Sequence, residues 1–283
     1  MVIGSGLLGR KVAQASREHF DTAVTYNKNQ VDIDGCQAYQ MDITKDIELL
    51  EALSPRYIIL TAAMTNVDQC EIDRAAAWQA NALGPQRVAT AAKRIGAKLI
   101  HVSTDYVFDG QRGMYKEPDP VCPINYYGAS KLAGEAGVRG VLPDSLIART
   151  SVLYGWNPVR LNFVTWAISE LRRGNRINIV TDQFTSATLA DNLSTMLLAL
   201  RDEAGIFHTA GAERISRYDL ALKIARTFDL DESLINPITS EQLQWKARRP
   251  KDSSLDIGKV SEFAEPLNVD RGLELMLRQE VMQ

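Results

Sequence analysis

Val2-Ile3-Gly4-Ser5-Gly6-Leu7-Leu8-Gly9-Arg10 is the stretch whose reading decides the fold. An apolar start runs into a Gly-x-Gly-x-x-Gly turn, and a helical pattern follows over residues 10–20. The glycine pattern alone is a weak signal. Its strand-turn-helix setting gives it meaning: glycines let the backbone approach a pyrophosphate, and the amino terminus of the next helix supplies amide donors and partial positive charge. Gly4, Ser5, Gly6, Leu7, Leu8, Gly9 and Arg10 are therefore expected to line a dinucleotide site. Only three residues precede Gly4, against about five or six in an ordinary strand, so the first strand is expected to be short or clipped at its start.

Working outward, residues 23–26, 38–41, 57–60, 98–102 and 145–148 read as strands, with helical patterns between most of them. Such alternation argues for a mostly parallel sheet covered by helices on both faces, an α/β Rossmann-type doubly wound fold. One alanine-rich helical pattern covers 73–95, with a kink expected at Gly84-Pro85. After Gly155 the rhythm changes: 162–173 and 187–200 read as helices, and 177–180 and 205–209 as short strands. The expected organisation is a dinucleotide-binding domain over 1–154 and a smaller mixed α/β substrate-binding region over 155–283 that returns some elements to the sheet. There is no internal repeat or low-complexity segment.

The chemistry is carried by Thr104, Tyr127 and Lys131. Thr104 follows the apolar run 98–102, which reads as a buried parallel strand, and ligands of open α/β sheets bind at the carboxyl ends of such strands. Tyr127 and Lys131 are four residues apart and share a helix face. A free tyrosine, with a pKa near ~10, is a poor acid or base at neutral pH, and a neighbouring cation favours its phenolate. A lone Tyr-x-x-x-Lys pair is more often a solvated helix face. Here the glycine turn, a strand ending in Ser103-Thr104 and the Tyr/Lys helix follow one another in the order a dinucleotide-binding reductase requires. The second strand runs into Asn27-Lys28-Asn29, which lacks an acid for a ribose 2′-hydroxyl and offers a cation for a 2′-phosphate, with Arg10 in reach from the first helix. NADPH is thus the expected cofactor, with NADH as the alternative.

The chain has 283 residues, 45% of them hydrophobic, enough to bury a large core. A net charge of −3 offers no basic footprint for nucleic acid or anionic membranes. Cys36, Cys70 and Cys122 are widely spaced without a Cys-x-x-Cys pair, and His19, His101 and His208 are scattered, which argues against a disulfide framework or a metal site. With no apolar run approaching ~18 residues and no signal-peptide pattern, a cytoplasmic protein is expected.

With those segments in place, the chain resembles the extended short-chain dehydrogenase/reductases, and within them the dTDP-4-dehydrorhamnose reductase family. The segments that carry the resemblance are Gly4 to Gly9, Ala62 to Glu71, Asn81 to Gly84, Ser103 to Gly110, Tyr127 to Glu135, Arg149 to Gly155, Asp182 to Phe184 and Arg249 to Asp256. The resemblance implies reduction of the C4 ketone of a nucleotide-diphospho-4-keto-6-deoxysugar. In that reading Tyr127 is the general acid, Lys131 binds the nicotinamide ribose and tunes Tyr127, and Thr104 hydrogen-bonds the substrate oxygen. Asn27, Lys28, Asp42, Ile43, Ala62 and Ala63 are the further candidate cofactor contacts. Asp105, Val107 and Arg249 are the further candidate substrate contacts, Arg249 for the diphosphate. Asp105 also fits a turn closing the strand, Asn81 fits either a proton relay or helix packing, and Arg248 and Arg249 also fit surface ion pairs. The chain departs from the family at Ile3, where a first turn glycine is usual, at Val152, where tryptophan is frequent, and at Ala187, where proline is common. It is also similar to the NADP-binding regulatory beta subunit of methionine adenosyltransferase, a binding partner rather than a reductase, and a reductase or epimerase of another nucleotide sugar is a further alternative. A homodimer is a candidate assembly.

Overall fold

The structure, a computed structural model, describes residues 1–45 and 47–281. The first half runs β1 (Val2–Ile3), α1 (Leu7–Ser16), β2 (Thr22–Tyr26), β3 (Cys36–Gln40), α2 (Glu48–Leu53), β4 (Tyr57–Leu60), α3 (Val67–Ile72), α4 (Arg74–Trp78), α5 (Gly84–Ile95), β5 (Lys98–Thr104), α6 (Tyr126–Val141) and β6 (Leu146–Thr150). Then follow β7 (Leu153–Tyr154), α7 (Phe163–Arg172), β8 (Ile177–Val180), β9 (Phe184–Thr185), β10 (Thr188–Leu189), α8 (Ala190–Ala199), β11 (Gly205–His208), β12 (Ile215–Ser216), α9 (Arg217–Thr227), β13 (Ile235–Ile238) and α10 (Val269–Val281).

Seven parallel strands form the central sheet in the order β11-β6-β5-β4-β1-β2-β3. Strand alternation explains how one sheet feeds two cores. Val2, Val24, Ile59, Ile100 and Leu146 pack on one face with Leu8 and Val12 of α1 and Leu193 and Met196 of α8. Their neighbours Ile3, Ile58, Leu60, Leu99 and Ile147 pack on the other face with Leu50 of α2 and Val88 of α5. Both faces being covered, the strands read as nearly continuous apolar runs. A third core joins α7, α9 and α10 through Val164, Ile168, Leu220, Ile224, Leu273 and Met276, around Tyr154. Among the described residues no helix is long and apolar enough to cross a membrane.

Three elements differ from the sequence pattern, each for a local reason. The pattern over 73–95 is divided: Asp73 caps α4 by accepting from the Ala76 amide at 2.9 Å, and a π-helical turn, Gln79–Leu83, joins α4 to α5 just before the expected kink at Gly84-Pro85. Helix α1 starts at Leu7, inside the glycine turn, and ends at Ser16. Helix α8 starts only at Ala190, because Thr188 and Leu189 pair with Leu153 and Tyr154.

The sheet order places the switch of direction at β1 and β4, since β2 and β3 lie to one side and β5 and β6 to the other. A crevice opens outside the carboxyl ends of the strands at such a switch, where ligands bind. The carboxyl ends of β1, β2, β3, β4 and β5 lead directly to Gly4, Asn27, Met41-Asp42, Thr61-Ala62 and Thr104-Asp105.

Candidate active site

The three turn glycines are there for different reasons. Gly4 has φ +107°, and a Cβ on it would stand 2.8 Å from the Ala62 amide nitrogen and from Thr61 Oγ1. A Cβ on Gly9 would stand 1.9 Å from the Gly4 carbonyl oxygen. Both positions are dictated by the turn's own packing against β4. Gly6 is the opposite case: at φ −70° and ψ −170° any residue fits, and a Cβ there would meet nothing within 4 Å. Gly6 begins α1 without a side-chain cap, so the first amides of the helix are left for an anion. An open cradle at Gly6 beside uncapped amides fits the pyrophosphate of a dinucleotide. Arg10, one turn along, has a buried Nε with no partner. Asn27 and Lys28 are exposed at the end of β2. Asp42 Oδ1 accepts from the Thr44 amide and hydroxyl at 2.9 and 2.7 Å. Two of the expected contacts, Leu8 and Ile43, turn their side chains into the two sheet cores, which leaves only their backbone for a ligand.

At the end of β5, Thr104 is buried, its hydroxyl donates to Asp105 Oδ1 at 3.1 Å, and it lies near enough to the Tyr127 phenol to act on it. Burial pushes the Tyr127 phenol above its ordinary value, and Thr104 pulls it back. Tyr127 is therefore held protonated, the state a general acid needs. Lys131 Nζ donates to the Val102 carbonyl at 2.7 Å, pointing to the strand, and the groups that act on Tyr127 are Thr104, Asp105, Cys70 and Tyr106. Burial lowers Lys131 to about 8, with Glu135 one turn along opposing the shift.

Asp105 is buried, and hydroxyls occupy both carboxylate oxygens: Thr104 Oγ1 at 3.1 Å on Oδ1, Ser151 Oγ at 2.8 Å and Ser253 Oγ on Oδ2. Burial raises its pKa, and the Ser253, Ser151 and Thr104 hydrogen bonds and Arg217 hold it down. The aspartate ties β5 to the loop at Ser253 and leaves little acceptor capacity for a substrate. Val107 is fully buried with Phe108, Tyr115, Ala210 and Leu255, which leaves only its backbone for a ligand.

Further residues set this geometry, and of these Glu71, Asn125, Glu135, Arg149 and Arg217 carried little signal in the sequence. Glu71 Oε1 accepts from the Tyr126 amide at 2.7 Å and so holds the start of the Tyr127 helix, while Asn125 caps it by accepting from the Gly128 amide at 2.8 Å. Asn81, inside the π-helical turn, is fully buried, accepts from the Met64 amide at 2.8 Å, and donates to the Met64 carbonyl and Ser130 Oγ at 3.0 and 3.1 Å. Its bonds brace α6 against the Ala62-Ala63-Met64 segment. Glu135 and Arg149 form a fully buried pair, 2.8 Å from Oε2 to Nη2, and Ser103 donates to Glu135. That pair locks α6 to the ends of β5 and β6. Arg249 is bidentate to Asp68, 3.1 Å on each oxygen, donates to the Ala247 carbonyl at 2.8 Å, and lies over Trp245. Arg248 is exposed, and its carbonyl accepts from Asn125 at 2.9 Å. At the first residue of α9, Arg217 lies near enough to the Tyr106 hydroxyl to act on it, and the Tyr106 ring stands edge-on to Tyr127, 5.9 Å between centroids.

Comparison with known proteins agrees with this geometry. The family model described as the RmlD substrate binding domain matches residues 1–281. The probable low-salt glycan biosynthesis reductase Agl14 of Haloferax volcanii is 36% identical over 266 residues, 90% of this chain and 88% of that protein. The dTDP-4-dehydrorhamnose reductase of Aggregatibacter actinomycetemcomitans is 34% identical over 79% of this chain and 81% of its own length. Among solved structures, dTDP-4-dehydrorhamnose reductase of Bacillus anthracis in complex with NADP superposes with a TM-score of 0.84 at 31% identity, covering 98% of both chains.

Proposed function

This chain belongs to the RmlD substrate-binding-domain family, and on that premise we propose that it is a nicotinamide-dependent oxidoreductase that reduces the C4 ketone of a nucleotide-diphospho-4-keto-6-deoxysugar. The observation that carries the reading is the placing of Thr104, at the end of β5, beside the Tyr127 phenol, in the same strand-end crevice as the uncapped turn at Gly6. Gly4 to Arg10, Asn27, Lys28, Ala62, Ala63 and Lys131 would hold the cofactor, with Asp42 and the backbone of Ile43 closing the adenosine end. When bound in reduced form it supplies the hydride. Tyr127, kept protonated by burial, gives its proton to the ketone oxygen as negative charge develops there. Thr104 donates a hydrogen bond to the same oxygen, and this favours the transition state over the ketone. Lys131 offers its ammonium to the ribose from the Val102 carbonyl. Asp105 accepts the Thr104 hydroxyl in this structure, and that hydrogen turns to the ketone oxygen when substrate is bound; Arg249, oriented by Asp68, faces the diphosphate.

Preference for NADPH over NADH is supported by Lys28 at the end of β2, by the lack of an acid there, and by the unpartnered Nε of Arg10. Among nucleotides dTDP is favoured by the relatives' substrates. The test is consumption of NADPH or NADH by the purified protein against a panel of 4-keto-6-deoxy nucleotide sugars, beginning with dTDP-4-dehydrorhamnose. Turnover with at least one is expected. Cofactor binding with no turnover of any would leave a nucleotide-binding partner protein in place of a reductase.

A further inference from the structure

Arg217 lies in the wall of the site without the counter-ion its neighbours have. Arg249 is paired with Asp68 and Arg214 with Asp252; Arg217 makes no such pair among the described residues. Its guanidinium lies over the Phe163 ring, 5.1 Å from the centroid, and acts on the nearby Tyr106 hydroxyl. The carboxylate that acts on it is Asp105, whose oxygens already accept from three hydroxyls. Arg249 adds a second positive charge close by, acting on both Arg217 and Tyr106. The backbone fixes this position: the Arg217 amide donates to the Gln183 carbonyl at 2.9 Å, and Ser216 caps α9 by accepting from the Asp219 amide at 2.9 Å. A half-buried guanidinium on a rigid helix start, one tyrosine away from Tyr127 and short of an acceptor, is built to take an oxyanion.

We propose that Arg217 is a substrate-recognition residue that binds a negatively charged oxygen group of the nucleotide sugar beside Tyr106. The proposal rests on the nucleotide-sugar reading above and adds to it a second cationic side chain for the anion, one that, unlike Arg249, has no carboxylate paired with it among the described residues. The oxyanion is the diphosphate or a carboxylate on the sugar ring, and the two are separable by probe.

The experiment is calorimetric binding of dTDP, UDP-glucose, UDP-glucuronic acid and NADPH to the full chain and to Arg217→Gln, Arg217→Lys and Tyr106→Phe. In Arg217→Gln, dTDP affinity is expected to fall about ten- to a hundredfold, as for a lost hydrogen bond to a charged group, with NADPH affinity unchanged and Arg217→Lys intermediate. Unchanged dTDP affinity with loss of a UDP-glucuronic acid over UDP-glucose preference supports the same residue acting on a sugar carboxylate. Unchanged binding of every anionic probe overturns the proposal. So does a Tyr106→Phe variant that reproduces the Arg217→Gln loss in full, since Arg217 would then only brace the tyrosine. An unmutated protein that binds none of the nucleotide probes removes the nucleotide-sugar reading itself, and the proposal with it. That failure shows in the wild type, whereas failure of the Arg217 assignment shows only in the variants.

Discussion

Gly6→Ala and Gly9→Ala are one methyl group each, three residues apart, and they should fail in opposite ways. At Gly9 the new Cβ would lie 1.9 Å from the Gly4 carbonyl oxygen and 2.7 Å from the carbon behind it. Both are backbone atoms of a turn that itself abuts Ala62, so neither can swing aside. Relief requires moving the turn or α1, and the cost falls at the upper end of the about 1–3 kcal/mol typical of overpacking, or beyond it. At Gly6 the Cβ meets nothing within 4 Å and the backbone is already extended. There alanine should leave stability unchanged or raise it by about 0.4–1 kcal/mol, by restricting the unfolded chain. Its methyl group instead occupies the open cradle, so crowding of about 1–3 kcal/mol should fall on cofactor binding, weakening NADPH about 5- to 150-fold. Urea unfolding gives the stability of both variants and calorimetry the NADPH affinity. Gly6→Ala binding NADPH within about twofold of wild type, a difference of only about 0.4 kcal/mol, would take Gly6 out of the cofactor site. Equal destabilisation of the two variants would refute the division of labour within the turn.

Tyr127→Phe should lower turnover about 10²- to 10⁴-fold, the usual range for general acid catalysis, with NADPH affinity nearly unchanged; a variant keeping half the wild-type rate removes Tyr127 from the mechanism. Burial lowers Lys131 from 10.5 to about 8, so its ammonium is lost in the folded protein as pH rises through about 8 while the unfolded chain still holds the proton. The turnover of the wild type should fall across that pH, Lys131→Arg should lose that limb because arginine stays charged, and a wild-type profile flat to pH about 10 would contradict the ammonium's role. The same shift means that this group costs stability at neutral pH and that the cost is relieved between about 8 and 10.5. Glu135→Gln leaves the Arg149 charge buried and unpaired and should destabilise the protein by about 3–5 kcal/mol in urea unfolding; a loss below about 1 kcal/mol, the range of exposed pairs, would mean the pair is not sealed from solvent. Lys28→Glu should shift the NADPH to NADH affinity ratio toward NADH, and an unaltered ratio would place the 2′-phosphate elsewhere.

Features that depend on neighbours in the chain were legible without a structure. The alternation of strands and helices is one, because short apolar runs between helical patterns are a local signal: residues 57–60 and 177–180 are strands as read, and the other runs shift by a few residues at their ends. The glycine turn is another, since strand, turn and helix follow within ten residues. Thr104 at the end of β5 is a third. What local pattern could not reveal is which way a side chain turns once it is packed. Lys131 shares a helix face with Tyr127, and its ammonium donates to the Val102 carbonyl of β5, an acceptor that a buried cation needs and that no local pattern names. Val107, inside a motif facing the crevice, is in the core because a 3-10 turn over Asp105–Val107 rotates it inward. Pairings across the chain were equally hidden. Asp68 with Arg249, Glu71 with the Tyr126 amide, Glu135 with Arg149 and Arg217 with Tyr106 each join segments whose separation in sequence bears no relation to their distance in space. Charge and hydrogen-bonding capacity are written in the residue types, but who satisfies whom is settled by the order of strands in the sheet and the register of the helices laid across it.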